Sequence, residues 1–195
     1  MLYLNGNFVE RSELKAFQLF NDAADLGNIQ AMKNLANMYK NGIAVNRSDK
    51  NAFYWTYTAA SLGDPEAEFF LGTMYYLGTG VRKNLSQAIF WYRKAVDNDN
   101  VDAMNNLANI YAFDIGELIS AEKLIKKANA LRPEDPTILN TLGAILMKNN
   151  KLDESIICLK QAKKLAPDDP EIIQDYQSAI KKKAELQIKN STPQK

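Results

Sequence analysis

Residues 65–100, PEAEFFLGTMYYLGTGVRKNLSQAIFWYRKAVDNDN, hold the unit from which the chain is built. Shifted by thirty-six positions, the sequence falls onto itself. Ala31, Ala67 and Ala103 coincide, as do Leu35, Leu71 and Leu107, and Tyr39, Tyr75 and Tyr111. Gly42 matches Gly78, Val45 matches Val81, and Trp55 matches Trp91. A fixed period of this size marks a solenoid, whose units bury their apolar faces only by stacking on their neighbours. The spacing predicts an all-α chain of stacked antiparallel helix pairs.

The chain has 195 residues, enough for one domain of about five such units. Its 24 Lys and Arg face 23 Asp and Glu, a net charge of +1, with no pull toward nucleic acid or an anionic membrane. The single cysteine, Cys158, makes no internal disulfide, and no apolar run reaches membrane-spanning length. The start, MLYLNGNFVE, lacks a basic stretch followed by an apolar core, so the expected location is the cytoplasm. Eighteen of the nineteen aromatic residues stand at or before Phe113. The packing vocabulary thus changes near residue 114, from rings to Leu, Ile and Ala.

Leu2-Tyr3-Leu4-Asn5-Gly6 aligns with Met38-Tyr39-Lys40-Asn41-Gly42, so the chain is expected to begin inside the first helix of a unit. Residues 1–27 then form a truncated repeat, whose second helix runs from an N-cap at Ser12 to a stop at Gly27. Its unpartnered face is a candidate contact with a second copy or a bound protein. Two full units occupy 28–100. Their first helices begin near Ile29 and at Pro65, and Ser48 and Asp64 are N-caps. From Pro136 to Pro170 the period is thirty-four, giving two shorter units over 101–169, the earlier one with an extra residue in its turn. Residues 170–188 are expected to form a capping helix, and 189–195 a flexible tail. The whole of 1–195 is read as one domain.

Tyr75-x-x-Gly78-x-Gly80-Val81-x-x-Asn84-x-x-Gln87-Ala88-x-x-Trp91-Tyr92-x-Lys94-Ala95 resembles the Sel-one-like repeat, a longer-turned relative of the tetratricopeptide repeat. The preceding unit repeats the pattern, with Ala44 in place of its second glycine. Residues 136–169 resemble an ordinary tetratricopeptide repeat, with Leu139, Leu142, Gly143 and Leu146 at first-helix core positions. The resemblance implies a right-handed superhelical solenoid, an α-α superhelix whose first helices line a concave groove.

Chemistry has few footholds. The chain has no histidine, which removes the commonest general base and most zinc sites. Asp168-Asp169 and Glu134-Asp135 flank prolines before helices, where carboxylates cap rather than catalyse. Gly78-Thr79-Gly80 is a turn, since no Gly-Lys-Ser/Thr follows it. Cys158 reads as a small apolar residue at the edge of the core. The lysines at 126–127, 163–164 and 181–183 are assigned to second helices, as a solvated outer wall. No cofactor, metal or catalytic residue is expected.

The resemblance places partner-binding residues on the inner face: Lys33, Asn34 and Asn37, with Gln30 beside them, then Glu66, Phe69, Phe70, Thr73 and Tyr76, with Leu77. Asn105, Asn106 and Asn109 follow, with Asp102, and last Asn140 between Thr137 and Thr141. Amides that donate and accept suit an extended peptide backbone, and rings suit an anchor side chain. Lys33 and Asn37 fall where chaperone-binding tetratricopeptide domains hold a carboxylate. Asp102 and Asn106 stand where the matching basic residues belong, so that activity is not expected. The implied function is a non-enzymatic adaptor or scaffold that binds protein or peptide, with no nucleic acid or membrane partner. A bacterial immunity or antitoxin-like protein is the first alternative. A β-lactamase-like or peptidoglycan-related enzyme is the second, disfavoured because such relatives carry paired cysteines in each repeat.

Overall fold

The computed structural model describes residues 12–191; the start expected for the first repeat, residues 1–11, and most of the tail expected at the other end, residues 192–195, lie outside them. Among the described residues there is no strand, and no helix is long and apolar enough to cross a membrane. Contacts gather the chain into two compact units that meet at Asn100 and Val101, where the period changes.

The first unit holds α1 (Glu13–Asp25), α2 (Ile29–Asn41), α3 (Asp49–Ser61), α4 (Pro65–Leu77) and α5 (Leu85–Asp97), each packed on its sequence neighbours. Short polar side chains start them. Ser12, Asn28, Ser48, Asp64 and Asn84 each accept a hydrogen bond from the backbone N–H three residues on, which satisfies a donor that the helix cannot. Ala52 and Ala59 are buried and let α3 approach α2 closely. Leu35, Met38, Leu71 and Trp91 fill the core. Tyr39 and Tyr75 fix the long turns through their carbonyls, which accept from Ser48 N and Asn84 N, both at 2.9 Å.

The second unit holds α6 (Val101–Asn109), α7 (Leu118–Leu131), α8 (Pro136–Lys148), α9 (Leu152–Leu165) and α10 (Pro170–Ser191). Asp135 and Asp169 are the expected caps, each accepting from two backbone N–H groups at the start of its helix. Two expectations are corrected. The extra residue assigned to the turn after α6 is taken up in the helix itself, which continues as a π-helical segment over Ile110–Ile115. The final helix extends past 188 to Ser191, so the tail expected from 189 begins as helix. Neither Lys189 nor Asn190 is a glycine or proline that would break the helix.

Candidate functional site

In the first unit the inner faces of α2 and α4 are partly spent on their own contacts. Lys33 reaches the start of α4, donating to Asp64 at 3.4 Å and pairing with Glu66. Burial pulls the Lys33 ammonium down, but the hydrogen bond to Glu66 and the charges of Asp64 and Glu66 outweigh it and leave it raised. Asn34 accepts from Gln30 at 3.4 Å, and Asn37 takes the amide of Asn41 on its main-chain oxygen at 3.0 Å. Phe69 is half-buried, with ring centroids 6.0 Å from Tyr92 and 5.3 Å from Phe70. Thr73 shares a 2.9 Å hydrogen bond with the Tyr92 hydroxyl. Phe69 and Thr73 therefore help to hold α4 on α5. Phe70 and Leu77 stay open, at 44% and 64% exposure, and Tyr76 lies under the Lys83 ammonium.

The second unit carries a groove of about 650 Å³ along α8, flanked by α10 and the π-helical end of α6. Asn140 Nδ2 donates to Asp175 at 3.0 Å, and Lys182 Nζ donates to the Met147 carbonyl at 3.1 Å. Both bonds join residues thirty-five apart, so α8 and α10 run parallel and in register. On the other wall Lys148 Nζ donates to the Ala112 carbonyl at 2.7 Å and lies over the Phe113 ring. Asn109 and Thr141 also line the groove, while Asn105 and Asn106 are half-buried on the turn of α6 before Asn109. Among the described residues, Asn105 Oδ1 and Asn140 Oδ1 are buried acceptors with no hydrogen-bond partner, as is Asn129 Oδ1 on α7, away from the groove. Asp102 pairs with Arg132 at 2.9 Å, a hydrogen bond that, against burial, raises the guanidinium. Thr137 is exposed in the first turn of α8.

The lysines at 181–183 do not form one outer wall. Pro170 repeats Pro136, so α10 occupies a first-helix slot, and its stripe Glu171, Asp175, Ser178, Lys182 faces the groove. Lys183 turns away to pair with Asp153, and Lys163 covers Tyr176. Burial pushes the Cys158 thiol up, away from a reactive thiolate.

Two buried carboxylates escaped the sequence reading. Glu122 accepts from Lys126 (2.7 Å), from Lys151 on both oxygens (2.7 and 2.9 Å) and from Asn149 (2.8 Å). The hydrogen bonds from Lys126 and Lys151, joined by that from Asn149, overcome burial and lower its carboxyl to about 2. It staples α7 to the turn between α8 and α9. Glu68, 3% exposed on α4, goes the other way: burial raises it, with Lys94 and Asn98 only partly offsetting. A signal for Glu122 existed, since it follows Ala121 and stands three before Ile125 on the core stripe.

Helical hairpins with parallel, in-register first helices and a polar groove define an α-helical repeat protein. The Sel1 repeat matches residues 1–28, 29–64 and 65–100, and a tetratricopeptide repeat matches 112–174. The chain belongs to the Sel1 repeat family. A Sel1 repeat protein from Oxalobacter formigenes shares the fold with a TM-score of 0.75 at 24% identity, over 84% of this chain and 69% of that one. The protective antigen c5321 of uropathogenic Escherichia coli matches at 0.54 and 22%, over 91% of this chain but only 46% of its own. The first tetratricopeptide domain of Spaghetti (RPAP3), solved with the HSP90 peptide SRMEEVD, matches at 0.56 and 22%, over 62% of this chain and 93% of that one. No curated protein matches.

Proposed function

We propose that this chain is a non-catalytic adaptor that binds an extended segment of a partner protein along the inner face of its first helices. One observation carries the reading. Asn109, Asn140 and Thr141 line one groove of about 650 Å³, where Asp175 holds the Asn140 amide in place. Side-chain amides and hydroxyls both donate and accept, which suits the main chain of an extended segment. The repeats of this family act generally as protein-interaction scaffolds, which supports the reading. So does the Spaghetti domain, which holds a peptide on the same fold.

An array of random octapeptides probed with the full chain tests this. Asn140→Ala should weaken the bound peptides by about tenfold, the loss of one or two hydrogen bonds. Lys160→Ala and Lys164→Ala, on exposed positions of α9, should change nothing. Binding that follows the α9 lysines and ignores Asn140 would put the working face on the outside.

A further inference from the structure

The groove of the second unit holds four charged side chains, and none is in an ion pair among the described residues. Glu171 and Asp175 stand one turn apart near the start of α10. Lys182, on the same stripe, and Lys148, at the end of α8, stand at the other end. Asp175 spends one oxygen on Asn140, while Lys148 and Lys182 each spend one N–H on a carbonyl and keep two. The charges are therefore sorted, acids at one end and ammoniums at the other. At 1.5 Å rise per residue the two ends lie roughly 10–16 Å apart, the span from Asp175 or Glu171 to Lys182. An extended chain advances about 3.3 Å per residue, so it covers that span in roughly three to five residues.

We infer that this groove selects an extended peptide bearing a basic and an acidic side chain three to five residues apart. The basic group sits between Glu171 and Asp175, and the acidic group between Lys148 and Lys182. The backbone between them reaches Asn140, and Phe113, at 49% exposure beneath Lys148, takes an apolar side chain. The inference rests on the groove being peptide-binding and adds what the peptide must carry. Neither a wholly acidic nor a wholly basic segment satisfies both ends. Each would set like charges together, which selects against it.

An octapeptide array in which one lysine and one glutamate occupy every pair of positions, in both orders, tests this with the full chain. The enriched peptides should carry the two charges three to five residues apart, in one preferred order. Replacing either by alanine should weaken binding about tenfold, and raising salt should weaken it further. The double variant Glu171→Lys with Lys182→Glu leaves one charge of each sign at either end, so it should erase the preferred order while peptides are still bound, which a merely structural role for these residues would not do. Enrichment without opposite charges, or a preferred order that persists in the double variant, overturns the charge rule but leaves peptide binding standing. Silence on both this array and the random one overturns both.

Discussion

Glu122 and Glu68 are both buried carboxylates, yet their surroundings push them in opposite directions, and acid should separate them. Glu122 is lowered from an ordinary 4.5 to about 2. A carboxyl depressed in the folded state contributes stability that is fully present above about pH 4.5 and is lost as pH falls through 2. A shift of that size corresponds to roughly 3 kcal/mol, and the half-exposed Lys126 and Lys151 bring the expectation to about 2. Urea titrations from pH 7 to pH 2, followed by hydrogen exchange in α7 and α9, should show this loss. Glu122→Gln should cost about 2–4 kcal/mol at pH 7 and flatten that acid limb, because two ammoniums lose their counter-charge. Glu68 has its folded value raised by burial, so protonation favours the folded state. Its cost to the first unit should ease as pH falls from neutral toward the ordinary carboxyl range. Glu68→Gln should stabilise α4 and α5 at pH 7 and abolish that gain. A variant that destabilises them would mean that Lys94 and Asn98 outweigh burial.

The turns between paired helices show why some of the fold was legible in residue types and some was not. Gly80 and Ala44 hold the same place in successive units, both with left-handed backbone, at φ 70° and 61°. A Cβ at Gly80 would stand 2.0 Å from the Asp49 carbonyl oxygen, so glycine is demanded by a neighbouring backbone as well as by φ. Gly80→Ala should therefore destabilise by more than about 1–2 kcal/mol, the ordinary penalty for alanine in that region. Ala44→Gly should raise stability by about 0.5–1 kcal/mol; thermal melts of the two variants should move in opposite directions. Gly143 answers to packing alone: its Cβ would meet Leu159 at 2.5 Å, where α8 and α9 press together. Periodicity exposed Gly80 and Ala44 because the same turn recurs at the same place in successive units, although the contact with Asp49 reaches back into the unit before. Caps at Ser12, Ser48 and Asp64 were legible for the same reason. The π-helical stretch was not, because one surplus residue can lengthen a turn or swell a helix, and residue type does not choose. The Glu122 staple depends on Lys151, twenty-nine positions away, and the inward turn of Lys182 depends on α10 occupying a first-helix slot. Both are consequences of stacking rather than of local pattern.

At the scale of the whole molecule, the change of period at Asn100 coincides with the boundary between two compact units, one rich in rings and one in aliphatic side chains. In a repeat array each unit's stability comes from its own packing and its nearest neighbours, so damage should stay near where it is made. Leu71 and Leu142 test this symmetrically, since both are buried first-helix leucines, at 0% and 5% exposure, in different units. Each change to alanine should cost roughly 2–5 kcal/mol, the range for a buried leucine that leaves a cavity. Hydrogen exchange should then rise over α1 to α5 for Leu71→Ala and over α6 to α10 for Leu142→Ala. The effect should be strongest in the partner helix of the same hairpin, α5 or α9. The groove lies wholly within the second unit, so Leu142→Ala should also abolish peptide binding at denaturant concentrations that Leu71→Ala withstands. If exchange rises evenly along the chain for either variant, the two units unfold as one cooperative body. Binding would then track global stability rather than that of α6 to α10.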